Sequence, residues 1–333
     1  MSMIDRIRPD LAAFTPYASA RRAGVEVGIR LDANESPQPM SGDSLALNRY
    51  PSPQPAALLD AMAALYDVSP ERVWTGRGSD EAIDLLMRLF CRAGQDNIAT
   101  LSPTFGMYRV AAQLQGAAVR TVPLDAGAGF ALDPCRLLEQ VDAGTKIVVL
   151  CSPNNPTGTL YHEHVPMLAE RLADRALLLV DEAYIEFSDV SSAVGWLDRY
   201  DNLAVLRTLS KAHALAGARV GALLAHPEII HRVAAIAAPY PLPLPSVAAA
   251  LQALDAGILA RTRERIAQTR RERDRILAAL ASADGIETIW PSAGNFLLIR
   301  CSDVNRTFRR LLAADVLVRN VSTQPGLAQC LRV

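Results

Sequence analysis

The amino-acid sequence predicts an α/β protein of two lobes, a large domain on a mostly parallel sheet sandwiched by helices and a smaller α+β domain. Three observations carry that expectation. From about residue 72 to 225, short β-rich or apolar runs alternate with helix-like stretches, the order expected of βαβ units wound into one sheet. After the Pro-rich segment Pro239 to Pro245 the composition turns helical and arginine-rich, then ends in short strand-like runs. The length of 333 residues exceeds the usual single domain and suffices for one large domain with a companion.

The elements follow in order. Asn97 to Leu101, Ala118 to Pro123, Lys146 to Cys151, Leu177 to Val180, Leu203 to Leu206 and Val220 to Ala225 read as strands buried on both faces, because each is short and mostly apolar. Between them, Ala82 to Cys91 follows Ser79, Asp80 and Glu81, which read as a helix cap and an acidic first turn. Tyr108 to Gln115 and His162 to Ala173 are further helix candidates. A helix through Ala250 is followed, beyond Gly257, by a long one from Arg261 to Leu280, with Ile266, Ile276, Leu277 and Leu280 on its buried side. Its arginines alternate with Glu264, Glu272 and Asp274, the pattern of a solvated face and not of a nucleic-acid surface. Phe296 to Arg300 and Val316 to Arg319 supply strands of the smaller lobe.

Composition narrows the partner. A formal net charge of -1 gives no global field for nucleic acid or acidic lipid, which leaves a small molecule. The five cysteines (Cys91, Cys135, Cys151, Cys301, Cys330) show no C-x-x-C spacing, against a disulfide framework or a zinc site. The first thirty residues hold no signal-peptide core and no apolar run reaches membrane-spanning length, so a cytoplasmic protein is expected. Of 34 basic side chains only Lys146 and Lys211 are lysines. Arginine replaces lysine on a solvated surface but keeps its proton, so amine chemistry falls to these two.

In a doubly wound sheet, ligands lie beyond the carboxyl ends of the strands. Polar residues at those ends form a distinctive set: Ser152-Pro153-Asn154-Asn155-Pro156-Thr157-Gly158, then Asp181-Glu182-Ala183-Tyr184, then Thr208-Leu209-Ser210-Lys211. An amide, an acid, a phenol and an amine converge. Lys146 opens its strand and points to the opposite rim, so only Lys211 shares the site. Taken singly, Asn-Pro-Thr-Gly is a turn by its chemistry, and an acid after an apolar strand also resembles the metal-binding strand of a P-loop ATPase. That rival needs G-x-x-x-x-G-K-[ST], which neither lysine supplies.

Over nearly its whole length the sequence resembles the fold-type I pyridoxal-phosphate enzymes, and within them the histidinol-phosphate aminotransferase family. The likeness is carried by Leu31-Asp32-Ala33-Asn34-Glu35-Ser36-Pro37, Arg49-Tyr50-Pro51, Arg77-Gly78-Ser79-Asp80-Glu81, Ser152 to Gly158, Asp181 to Tyr184, and Arg207-Thr208-Leu209-Ser210-Lys211 with Arg219 eight residues on. The resemblance implies pyridoxal 5'-phosphate as cofactor, carried by Lys211, which then serves as the base at the substrate Cα. Asp181 pairs with the pyridine nitrogen, Asn155 and Tyr184 donate to the ring hydroxyl, and Phe105 stacks on the ring. Gly78, Ser79 and Asp80 at a helix start, with Thr208, Ser210 and Arg219, hold the phosphate.

The resemblance also implies a homodimer in which Tyr50 reaches the neighbouring site. Tyr17, Asn34, Arg319 and Arg332 then bind substrate, the arginines taking the phosphate of histidinol phosphate or the carboxylate of glutamate and 2-oxoglutarate. It divides the chain into an arm with part of the small domain (1–44), a large cofactor-binding domain (45–243), and an interdomain helix with the small domain (244–333). The sequence departs from the family at Val333, directly after Arg332, where relatives continue through a closing strand and helix. This predicts lower stability or activity than in a longer relative. Among rival readings, a threonine-phosphate decarboxylase shares the Asn, Asp, Tyr, Lys and Arg framework, and an aromatic aminotransferase ranks behind it. A non-enzymatic paralogue should have lost Lys211 or Asp181, and both are present.

Overall fold

The computed structural model describes residues 3–12, 14–15 and 30–333. Its centre is a seven-stranded sheet of order β1-β7-β6-β5-β4-β2-β3. The strands are β1 (Val73–Gly76), β2 (Asn97–Ser102), β3 (Ala118–Pro123), β4 (Thr145–Cys151), β5 (Leu177–Asp181), β6 (Leu203–Thr208) and β7 (Gly221–Ala225). The run from β3 to β6 is parallel, whereas β7 is antiparallel to both β6 and β1.

Helices cover both faces, which explains the unbroken apolar runs. The chain-order helices are α1 (Pro9–Ala12), α2 (Ala56–Tyr66), α3 (Ser79–Phe90), α4 (Met107–Gln115), α5 (Pro134–Glu139), α6 (Val165–Leu172), α7 (Pro227–Ile236), α8 (Leu244–Ala253), α9 (Ala256–Leu280) and α10 (Val304–Ala313). Side chains alternate across a strand. Val148, Leu150, Leu178, Val180 and Val205 therefore pack with residues of α2, α6 and α8. Ile147, Val149, Leu177, Leu179 and Ala204 pack with α3, α4 and α7.

A second, antiparallel sheet of order β10-β11-β9-β8 forms the smaller unit, with β8 (Ile286–Trp290), β9 (Leu298–Cys301), β10 (Arg319–Asn320) and β11 (Cys330–Arg332). β11 is paired on both sides, so Arg332 is anchored by β10 and β9. The strands β1, β8 and β11 have no counterpart in the sequence reading, because each is too short or too mixed in polarity to show a period.

Four expectations are corrected. β3 is not buried on both faces: it pairs only with β2, and as an edge strand it exposes Ala118 and Arg120. Ser79 is the first residue of α3 and not its cap; Gly78 occupies the cap at φ 80 with no side-chain bond, and the Glu81 carboxylate instead accepts the Arg77 N–H at 2.6 Å. α9 starts before Gly257, because the Asp255 side chain accepts the Gly257 N–H at 2.9 Å and nucleates the turn there. Ile276 is 40% exposed, while Ile266 packs beside Tyr184 and Phe296, and Leu277 and Leu280 pack on the small-sheet core.

One glycine fixes where α3 begins. A Cβ on Gly221, the first residue of β7, would lie 2.5 Å from the Ser79 nitrogen and 2.6 Å from the Gly78 carbonyl carbon. Backbone cannot yield as a flexible side chain does. Gly221→Ala is expected to cost about 1–3 kcal/mol in urea unfolding; an unchanged midpoint would show that the strand and the helix entry are not in contact.

Candidate active site

Because β4, β5 and β6 lie side by side in register, with Cys151 opposite Asp181 and Asp181 opposite Leu206, their carboxyl ends open on one place. The segment leaving β4 is braced there. Asn154 Nδ2 donates to the Pro103 carbonyl (3.1 Å) and to Thr157 Oγ1 (2.9 Å), while its Oδ1 accepts from Thr104 Oγ1 (2.7 Å). That locks the exits of β2 and β4 together and presents Asn155.

The structure brings Ser79, Asp80, Phe105, Asn155, Asp181, Tyr184, Thr208, Ser210, Lys211 and Arg219 to one cavity. Cys151 and Ala183 join them, and neither was singled out from the sequence. Gly78 stands just behind: its φ of +80 favours glycine, and a Cβ there would come within 2.6 Å of the Arg219 guanidinium. A larger groove of about 710 Å³, lined by Leu11, Trp74, Arg88 and Pro239 among others, contains none of the ten. Lys146 is held at the far end of β4, 3.6 Å from Asp96.

The cavity is graded from a buried depth to an exposed mouth. Asn155, Asp181, Tyr184 and Thr208 are buried, whereas Lys211 and Arg219 are exposed. Burial raises the Asp181 carboxyl to about 6, against the lowering influence of the Tyr108 hydroxyl, the Ala183 N–H and Lys211. Desolvation together with the nearby Arg332 and Arg219 charges lowers Lys211, which favours the free amine its chemistry needs. Burial pushes the Tyr184 phenol above its ordinary range, so it remains a donor, and raises the Cys151 thiol to about 12. Lys211 Nζ stands 5.7 Å from the Tyr184 ring centroid, and Asn155 Nδ2 lies 3.4 Å from Tyr184 Oη. At the mouth Arg219 Nη2 bonds Asp80 Oδ2 at 3.2 Å.

The small sheet reaches the same place. Arg332 Nη1 donates to Asn155 Oδ1, and its guanidinium lies 5.5 Å from the Phe296 ring centroid. Arg319 is directly opposite Arg332 in the β10–β11 ladder. Like charges facing each other across strands repel, an arrangement that an anion relieves. Asn34 and Tyr50 do not line the cavity: Asn34 is exposed at φ 54, and Tyr50, 50% exposed, stacks on Tyr240 at 4.5 Å. Tyr17 lies outside the described residues.

A second polar group sits beneath the strand ends. Arg207, on β6, donates to Glu186 Oε1 (2.7 Å) and to Ser192 Oγ (3.1 Å), approaches Glu182 Oε2 (3.5 Å), and stacks 4.6 Å from the Tyr66 ring centroid. Glu182 also accepts the Ala193 N–H at 2.7 Å. Sequence patterning gave Arg207 no role, since a charged residue in a short apolar strand shows nothing of its partners.

Two outcomes follow from these environments. Arg207→Met leaves the buried Glu182 and the half-buried Glu186 without their cation and is expected to cost about 3–5 kcal/mol in chemical unfolding; co-melting with the unsubstituted protein would contradict the pairing. Asp181 holds its proton more tightly folded (about 6) than unfolded (3.8), so its contribution is largest below the unfolded value and is lost as pH rises through about 6. Relative to Asp181→Asn, the ligand-free protein should therefore lose on the order of 3 kcal/mol across that window. A difference independent of pH would remove the argument.

The model of the aminotransferase class I and II family matches residues 23–333. The chain is 48% identical to the histidinol-phosphate aminotransferase of Xanthomonas euvesicatoria pv. vesicatoria, covering 100% of this chain and 93% of that protein. Among solved structures, the histidinol-phosphate aminotransferase of Sinorhizobium meliloti in complex with pyridoxal-5'-phosphate superposes with a TM-score of 0.75 at 28% identity, over 90% of this chain and 84% of that one. The histidinol-phosphate aminotransferase of Clostridium acetobutylicum shares the fold, with a TM-score of 0.77 at 23% identity over 86% and 85%. The chain belongs to the class I and II aminotransferases, within the histidinol-phosphate aminotransferase family.

Proposed function

We propose that the chain is a pyridoxal 5'-phosphate-dependent aminotransferase that exchanges the amino group between L-histidinol phosphate and 2-oxoglutarate, giving imidazole-acetol phosphate and glutamate in histidine biosynthesis. The observation that carries this reading is the meeting, in one cavity, of the Lys211 amine, the buried Asp181 carboxyl and the Asn155–Tyr184 pair, with Arg332 at hand. The full-length likeness to a histidinol-phosphate aminotransferase supports the substrate.

The residues fit the cofactor. The start of α3 presents helix-end N–H groups beside Arg219 and Ser210, and Gly78 leaves the space that a side chain would fill, which suits a phosphate. Thr208 Oγ1 accepts the Ser210 N–H at 3.1 Å and shapes that loop. Asp181 offers the acceptor for a ring nitrogen, Asn155 Nδ2 and Tyr184 Oη the donors for a ring oxygen, and Phe105 an aromatic face. Pyridoxal phosphate, when bound, supplies the carbonyl that takes the amino group and the ring that accepts the electron pair left at the substrate carbon.

The rest is done by the chain. Lys211 Nζ, with its charged form disfavoured, would hold the cofactor through its carbonyl carbon and, as a free amine, would be the base for the substrate Cα proton. Asp181 holds the proton of the ring nitrogen. Arg319 and Arg332 neutralise the phosphate of one substrate and the carboxylate of the other, each with a planar fork suited to both anions.

The wider reading is a cytoplasmic homodimer acting on small molecules, with no nucleic-acid or membrane partner. No helix among the described residues is long and apolar enough to cross a membrane. Tyr50, exposed and away from its own cavity, is read as reaching the neighbouring subunit's site, and Tyr17 and Asn34 as substrate contacts. Residues 1–44 are read as an arm with part of the small domain, 45–243 as the large domain and 244–333 as the interdomain helix with the small domain. The two sheets, within 73–225 and 286–332, support that division.

The decisive measurement is a visible spectrum with pyridoxal phosphate, before and after L-histidinol phosphate, for the unsubstituted protein and Lys211→Ala. A lysine-dependent band that bleaches with histidinol phosphate and returns with 2-oxoglutarate is expected. A band indifferent to histidinol phosphate, or carbon dioxide released from threonine phosphate, would overturn the substrate assignment. Arg319→Gln should raise KM for histidinol phosphate by about tenfold or more, as loss of a charged hydrogen bond does. Mixing Tyr50→Ala with Lys211→Ala should restore activity if sites are shared between subunits; no recovery would count against the dimer reading.

A further inference from the structure

We propose that Tyr108 is a positioning residue for the active-site acid: its phenol, donated to Asp181 Oδ2 at 2.6 Å from behind the cavity, holds that carboxylate as an acceptor aimed at the cofactor ring. This rests on reading Asp181 as the partner of the ring nitrogen. Tyr108 is fully buried and Asp181 nearly so, and behind the cavity the hydroxyl also meets the Cys151 thiol. It does not line the cavity that Asp181 lines, so it acts through the residues it touches there.

The geometry gives Tyr108 two duties. It follows Phe105 by three residues, one turn along the start of α4, and its ring meets that of Phe105 edge to face at 5.6 Å. The same side chain thus braces the aromatic proposed to cover the cofactor ring and the acid proposed to hold its nitrogen. Among the described residues, the Ala183 N–H also donates to Asp181, at Oδ1 and 3.1 Å. With both oxygens engaged, the carboxylate has its plane fixed at two points, leaving lone pairs for the cavity.

The ionisable groups facing Asp181 are Tyr108 from α4, Cys151 from β4, Asp80 from α3, Lys211 beyond β6, and Tyr184 after β5. Burial holds the phenols and the thiol neutral across the working range, so Tyr108 remains a donor throughout. Burial also disfavours the Asp181 anion, and the Tyr108 hydrogen bond is the largest influence opposing it. Without that donor the carboxyl keeps its proton to higher pH, and a neutral acid no longer offers the charge that a protonated ring nitrogen requires.

The test is the pH dependence of pyridoxal phosphate binding to the full chain, followed by absorbance, for the unsubstituted protein and Tyr108→Phe. The unsubstituted protein should lose affinity as pH falls through about 6, where Asp181 takes up its proton. In Tyr108→Phe that acid limb should move up by about one pH unit, the size of one charge-assisted hydrogen bond, while binding well above the limb is unchanged. Site-specific 3-fluorotyrosine at position 108, a near-isosteric and stronger donor, should move the limb down and keeps the question open to test if Tyr108→Phe folds poorly. An unmoved limb, or an affinity loss equal at every pH, would reduce Tyr108 to packing and overturn the proposal. Failure of the unsubstituted protein to bind pyridoxal phosphate would defeat the cofactor reading itself, whereas normal binding with an unmoved limb defeats only the role of Tyr108.

Discussion

The constraint on which the site depends is a sheet covered on both faces. With helices on either side, β4, β5 and β6 have no solvated face on which to carry polar side chains, apart from an ion-paired exception such as Arg207. Chemistry is displaced to the strand ends, and parallel pairing in register brings three ends together. Asp181 is the last residue of β5, so its carboxyl enters the cavity with its backbone still fixed by the ladder. That is why an acid raised to about 6 by burial is held in place. Loop flexibility would let such a group turn to water.

Two supports keep the strand ends from drifting apart. The Arg207 cluster joins β6 to the segment after β5 through Glu182, Glu186 and Ser192, with the Tyr66 ring of α2 over the guanidinium. The guanidinium and the two carboxylates offset one another's charge, as buried charges must, although Arg207 Nε and Glu186 Oε2 make no hydrogen bond among the described residues. On the cavity side, Tyr108 ties α4 to β5 and Asn154 ties the exit of β4 to that of β2. A substitution in either support would therefore change the cavity without touching a ligand.

The small sheet contributes charge, and the contribution depends on strand pairing. Arg319 and Arg332, on consecutive strands, are directly opposite in the ladder, where their repulsion is the counterpart of an affinity for anions. Arg332 also reaches Asn155 and helps disfavour the charged form of Lys211. One guanidinium thus touches the amide and biases the amine.

The sequence by itself determined the parallel strand runs, the residue order at their ends and the choice of Lys211 over Lys146, because apolar continuity and amine chemistry are local properties of the chain. It also held the motifs that carry the family resemblance. It could not show β1, β8 and β11, whose short segments lack the unbroken apolar run that made β5, no longer than β8, legible. The tertiary structure alone decided that β3 is an edge, that Gly78 and not Ser79 caps α3, and that Tyr108 stands behind Asp181. It also decided that Arg319 faces Arg332. Each of these depends on which elements become neighbours and in what register, a matter of packing that no local pattern encodes.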